Sequence, residues 1–364
     1  MKRLYSILFF FLVLYFNGNS QNYLSYYKYI NKAEIAICDS IYEQAIEYYD
    51  SAFNITKTPY LKDLKNANLC AIYLNNYEKC YVYIQKMISK RYPLDYLESK
   101  DYDALKKTNY WNKLKNTDSL RNKETNESVI KQLKKRYQKE QNLAYQKNID
   151  SIHYKRYINC VIDNYNNIKE FASKFGFPDE ELNDHEFCNN TSYVFFTLLH
   201  YYQLIQIQSK LPNEKLKNLE FLLEYNFDYN EIHNLLYDAV LKGKFLPSTF
   251  ANLEDIINPR NYGTLNFIQV NDTCGFIKYT EPELINNNRL KIGLCSLNNA
   301  KTILNYKINL NKGCPYPPND KESNVCTYDK KEYEEFDLRS GKYQVFYFNE
   351  HKEGREFFNS MVNQ

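Results

Sequence analysis

Two thirteen-residue stretches set 35 residues apart (77 − 42) carry the same helical pattern. In IYEQAIEYYDSAF, Tyr42, Ala45, Tyr49 and Ala52 recur at three- and four-residue intervals, and in NYEKCYVYIQKMI, Tyr77, Cys80, Ile84 and Met87 do the same. This spacing puts each set on one face of a helix. A helix with one such stripe must bury it against another element, and stripes at a fixed interval point to helical hairpins that bury their faces by stacking. The intervening LKDLKNANLCAIYL supplies a partner face through Leu64, Ala67, Cys70 and Ala71, and the small residues Ala45, Ala52, Ala67 and Ala71 let paired helices approach closely. Only nine of 364 residues are glycine, which argues against Gly-rich nucleotide-binding loops and against a turn-dense all-β chain.

The interval and the small/large alternation resemble tetratricopeptide-type repeats, here two partial copies without the usual Trp-Leu-Gly start. The resemblance implies a hairpin segment over 21–118, closed by a helix bearing Tyr102, Leu105 and the single tryptophan, Trp111. Two hairpins seldom stand alone, so they are expected to pack on the segment C-terminal to them. From 119 to 305 the pattern stays helical. Val129, Leu133 and Tyr137 repeat at four-residue spacing. A long helix then runs to the break at Gly176-Phe177-Pro178, where Gly suits the left-handed cap and Pro cannot continue the helix. Further helices are expected over Thr191–Ile207, Asn213–Leu223, Tyr229–Leu241 and from Pro247 through Ile256. Leu265–Val270 and Tyr343–Phe348 are strand-prone, and 306–364 reads as a small mixed α/β appendage containing Cys and Pro. The expected fold is mainly α: hairpins packed on a larger helical domain, with that appendage.

The N-terminus predicts export. Lys2 and Arg3 precede an apolar run from Leu4 to Phe16, and Gly18, Asn19 and Ser20 offer small residues for cleavage before Gln21. Residues 1–20 therefore read as a signal peptide, and the mature protein as periplasmic or secreted, with no later membrane span. Cleavage lowers the formal net charge from +3 to +1 (3 − 2), too little for a long-range field. The basic run Lys131–Lys139 is diluted by the neighbouring acids Glu124, Glu127 and Glu140 and reads as a solvated helix face, so no nucleic-acid partner is expected. All nine cysteines lie beyond the leader and no CxxC occurs. Cys314 and Cys326, flanking a Pro-rich loop, are the first candidate disulfide and Cys274 with Cys295 the second; Cys38, Cys70 and Cys80 fall in helical patterns as packed thiols.

The stretch 120–305 resembles a bacterial helical domain family of unknown function through an ordered set of short motifs. These are Gly176-Phe177-Pro178, Leu199-His200 where Gln-His is usual, Ala239-Val240-Leu241-Lys242-Gly243 running on to Pro247, Tyr262-Gly263-Thr264 with Leu265 next in place of Gln, and Arg289-Leu290-Lys291-Ile292-Gly293-Leu294. The family implies a fold and no reaction. The departures Leu199 and Leu265 remove two polar amides from the centre it would share.

Candidate chemistry gathers at the histidines. His200 ends an apolar stretch, His233 lies on the next amphipathic pattern, and Glu254 and Asp255 precede the loop holding Arg260 and Tyr262. Asp255, Arg260 and Tyr262 beside His200 would bind a polar ligand or serve hydrolysis. The plainer alternative is that Asp255 pairs with Arg260 and holds the loop shut. His185, flanked by Asp184 and Glu186, would complete a divalent-metal set only if it met His200 and His233. No HExxH and no two-His i,i+4 spacing supports that, and no metal or cofactor is expected. No G-x-S-x-G elbow or P-loop is present. The leading expectation is an exported protein-protein interaction or ligand-binding protein of the cell envelope, whose partner is another envelope or secreted protein or peptide. The alternative is a periplasmic or secreted hydrolase with a His-centred site at His200, Asp255 and Tyr262.

Overall fold

A computed structural model describes residues 23–309 other than 91, 98–99, 120–126, 148–149, 179–192, 210–213, 259–260, 265–266 and 271–272, together with 326–327 and 345–349. The expected leader, the triplet Asp184-His185-Glu186, Arg260, Cys314 and most of 306–364 lie outside the described residues. The architecture is mainly helical.

The first half is built from α1 (23–38), α2 (Tyr42–Ile55), α3 (Leu61–Tyr73), α4 (Tyr77–Ser89), the short α5 (Asp103–Lys106) and α6 (Asn109–Ser119). Ala45, Tyr49 and Ala52 of α2 and Cys80, Ile84 and Met87 of α4 are all fully buried. The turns that end α1 and α3 are made identically, 35 residues apart. Ser40 and Asn75 take left-handed φ of 59° and 54°. Their N–H groups donate to Ile37 O and Ile72 O (2.9 Å each), and the next N–H groups, of Ile41 and Asn76, donate to Ala36 O and Ala71 O (2.8 Å each). This double closure satisfies the last carbonyls of a helix and turns the chain into the next one. Behind α4, Leu105, Leu114 and Trp111 close the layer.

The second half contains α7 (Glu127–Gln146), α8 (Ser151–Phe175), α9 (Tyr193–Ser209), a 3-10 helix (Glu214–Glu224), α10 (Tyr229–Leu241), α11 (Pro247–Ile257), α12 (Pro282–Lys291) and α13 (Leu297–Asn309). Helix α8 stops at Gly176, φ +85°, as its sequence predicts. Helix α9 packs against α7, α8 and α11, which explains why its sequence is apolar nearly all round. Strands β1 (Phe267–Val270) and β2 (Thr273–Lys278) pair antiparallel, Ile268 opposite Gly275. They form the centre of a four-stranded sheet, with β3 (Cys326–Thr327) beside β1 and β4 (Val345–Asn349) beside β2, both parallel.

The two halves meet through α1. The ring of Tyr23 lies where a side chain at Gly243 would be, and Tyr27 lies likewise over Gly293. Asn31 Nδ2 donates to Gly293 O (3.0 Å), and Tyr60 Oη donates to Phe245 O (3.1 Å). Ile303 of α13 is buried in the same apolar cluster as the hairpins. Both glycines have positive φ, +66° and +87°, so each serves its own turn and also the close approach of a tyrosine. Among the described residues, no helix is long and apolar enough to cross a membrane.

One sequence expectation is corrected here. Cys295 is a free thiol, so the Cys274–Cys295 pairing does not form. Cys295 sits in the α12–α13 link against Arg289, whose Nε donates to its carbonyl (2.6 Å), and burial raises the thiol's pKa.

Candidate functional site

The histidines and acids singled out in the sequence lie around α9, in two separate clusters. On one side, Glu140 of α7 is fully buried. Its carboxylate accepts from His200 Nδ1 (2.6 Å), Thr197 Oγ1 (2.9 Å) and Asn164 Nδ2 (2.6 Å). The His200 ring stands edge-on to Tyr157 at 5.7 Å and keeps only 13% of its side chain exposed. On the other side, Glu254 of α11 is also fully buried. It accepts from Tyr202 Oη (2.5 Å), Tyr229 Oη (2.7 Å) and His233 Nδ1 (2.9 Å).

Helical geometry separates the two. His200 and Tyr202 are two residues apart on α9, about 200° around its axis, so His200 faces α7 while Tyr202 faces α11. His233 therefore shares a cluster with Glu254 and not with His200.

Glu254 shapes its neighbours. Burial, and after it the adjacent carboxylate, pushes the Tyr202 hydroxyl far above its ordinary value, and Tyr229 in the same direction. The hydrogen bond to Glu254 raises His233 above 6.5, outweighing its partial burial. His233 stacks on Tyr237 (5.9 Å, 8°), lies 5.7 Å from the Tyr229 ring and 5.6 Å from Phe250, and keeps 30% of its side chain exposed. A buried carboxylate that takes Nδ1–H leaves Nε2 as the basic nitrogen. Among the described residues, however, no serine, threonine or cysteine side chain bonds to either ring.

Asp255 and Tyr262 belong to a third arrangement. Asp255 Oδ1 accepts from Tyr262 N (2.8 Å), and Oδ2 accepts from Thr264 N (2.6 Å) and Thr264 Oγ1 (2.8 Å). Burial nevertheless pushes the Asp255 carboxyl up to about 7, against these donors and nearby Arg289. Arg289, itself buried, donates through Nη1 to Tyr262 O (2.9 Å). Two motifs quoted from the sequence, Tyr262-Gly263-Thr264 and Arg289 through Leu294, thus meet in space. The Tyr262 ring packs edge-on to Phe250 at 5.7 Å. The closure expected from an Asp255–Arg260 pair is made by backbone donors of residues 262–264.

Tyr262 and His233 both touch Phe250, so these two predicted residues lie near each other, while His200 stands apart. The residues that organise both clusters, Glu140 and Glu254, carry little signal of that role in the sequence. Glu140 does leave one trace: it falls on the stripe of Leu133, Tyr137 and Ala144, an acid where an apolar residue belongs. No group of three or more His, Cys, Asp or Glu side chains among the described residues is placed to hold a metal ion. Comparison with protein-family models, curated proteins and solved structures finds no match to this chain.

Proposed function

We propose that this chain is an exported, non-catalytic interaction protein of the cell envelope, in which tetratricopeptide-like hairpins over 21–118 pack on a helical domain resembling the bacterial family of unknown function. One observation carries the reading: the polar groups that hydrolysis would need are taken up in hydrogen bonds that hold helices and turns together. Asp255 serves its own turn, Glu140 ties α7 to α8 and α9, and Glu254 ties α11 to α9 and α10. Such groups are structural anchors.

The face of α1 toward the second half is covered by the chain itself. The hairpin turns supply the outward apolar surface: Ile41 and Tyr73 are exposed large hydrophobics, and Tyr42 stacks on Tyr73 at 5.4 Å. The partner is another envelope or secreted protein or peptide. A photo-crosslinking residue in place of Ile41 or Tyr73, in cells that make the protein from its own leader, is expected to give adducts heavier than the chain. Absence of adducts at both positions would overturn the reading.

The second reading, a hydrolase with a His-centred site, rests on the His233–Glu254 pair. It requires a hydrolytic activity that His233→Ala abolishes and His200→Ala retains.

A further inference from the structure

We propose that the outer face of α7, with the exposed Tyr145 and Ile152 that flank the α7–α8 link, is a docking surface for an anionic lipid bilayer. Lys131, Lys135 and Lys139 are all exposed and stand at four-residue intervals, so they share one face, opposite the buried Glu140. From Lys131 to Tyr145 the amide side chains Gln132, Gln138 and Asn142 fill the rest of this face and no acid interrupts it; Glu127 stands one turn before Lys131. None of the three lysines forms an ion pair with a described residue. On the neighbouring α8 the lysines are neutralised, Lys155 by Glu224, Lys169 by Glu231 and Lys174 by Glu170, and just past α10 Lys242 is neutralised by Asp238. A row left unpaired on α7, beside a helix α8 whose lysines are paired, is a local positive patch despite the near-neutral total.

The same face ends at Tyr145, 85% exposed, and across the short link Ile152 of α8 is 62% exposed. From Lys131 to Tyr145 the face runs about 21 Å. Lysines aligned on one helix meet headgroup phosphates, and a tyrosine with an aliphatic neighbour at one end suits the boundary of headgroup and acyl chain. A nucleic acid or acidic polysaccharide would engage the lysines and leave Tyr145 and Ile152 without a role, so these two exposed side chains select the bilayer.

The test is flotation of the mature protein with vesicles of phosphatidylcholine alone and of equal parts phosphatidylcholine and phosphatidylglycerol. Binding is expected only to the anionic vesicles and should weaken as salt rises. Each lysine near such a surface contributes about 5-fold. Lys131→Gln, Lys135→Gln and Lys139→Gln together should therefore lower partitioning ~100-fold, while far-UV circular dichroism stays that of the parent. Arginine at the same three positions should restore binding. Tyr145→Ser with Ile152→Ser should weaken binding and leave its salt dependence unchanged. Equal binding to neutral vesicles, undiminished binding by the glutamine variant, or retention on heparin without vesicle binding would each overturn the proposal.

Discussion

Gly243→Ala tests whether the two halves of the chain are joined through α1. A Cβ on Gly243 would lie 2.0 Å from Cζ of Tyr23, and ordinary contact begins near 3.4 Å, so the ring must retreat by roughly 1.4 Å. In retreating it gives up the hydrogen bonds between its hydroxyl and Thr58 Oγ1 (2.8 Å) and Thr56 Oγ1 (3.0 Å). Two costs add. An alanine at φ +66° costs about 1 kcal/mol after allowing for the stiffer unfolded chain. Displacing a tyrosine that buries some 150–250 Å² loses about half of a ~4 kcal/mol burial contribution, or ~2 kcal/mol. Gly243→Ala should therefore destabilise the mature protein by ~3 kcal/mol in urea unfolding monitored by circular dichroism. In a Tyr23→Ala background only the backbone cost of about 1 kcal/mol should remain, a coupling of ~2 kcal/mol. If Gly243→Ala costs the same with and without Tyr23, the ring does not sit on this glycine and the account of how α1 seats on the second half fails.

Three further outcomes rest on the same geometry. His233 is raised in the folded state, so its contribution to stability is complete below about 6.5 and is lost as the pH rises through the folded value; in Glu254→Gln, nuclear magnetic resonance titration should find His233 lowered from its value in the parent, because burial then acts without the carboxylate. Asp255→Ala orphans the buried N–H of Tyr262 and the part-buried N–H of Thr264 and should cost ~2–4 kcal/mol, read as a lower urea midpoint. Ser40→Gly should stabilise by about 1 kcal/mol, because serine is strained at a left-handed φ of 59°, and Asn75→Gly by less, because asparagine tolerates that region; thermal melts that rank the two the other way would refute this.

Local pattern is readable in this chain and long-range pairing is not. Helix α10 begins and ends where its sequence places it, at Tyr229 and Leu241, because Asp228 caps it by accepting from Glu231 N and its apolar spacing runs unbroken. The α8 stop is legible in Gly176 for the same kind of reason. The Glu140–His200 contact joins helices 60 residues apart, and nothing local distinguishes an acid that will find a histidine from one that faces water. In the sequence Asp255 points toward Arg260, because opposite charges stand out there. Bonds from a carboxylate to backbone N–H groups leave no mark in residue identities. The unpaired Cys295 has the same origin: the spacing to Cys274 suggests a bridge, and the packing against Arg289 does not appear in it.

The buried acids have a common cause in the composition. A chain with 37 tyrosines cannot keep them all at the surface, and Tyr26, Tyr49, Tyr83, Tyr157, Tyr165 and Tyr202 are among its largest fully buried side chains. A buried hydroxyl is costly without an acceptor, and those of Tyr27 and Tyr49 go without one among the described residues. Acids meet that need repeatedly: Asp63 for Tyr26 (2.5 Å), Asp50 for Tyr83 (2.6 Å), Glu231 for Tyr165 (3.2 Å) and Glu254 for both Tyr202 and Tyr229. The pattern spans both halves of the chain, and it holds where the sequence offers no candidate chemistry. A carboxylate ringed by tyrosine hydroxyls is therefore ordinary core construction in this protein. His233 and His200 enter the same scheme as two more donors to buried acids. What sets His233 apart is its exposure, and the hydrolase reading turns on that one ring. The rest of the candidate site is explained by what a tyrosine-rich helical core requires.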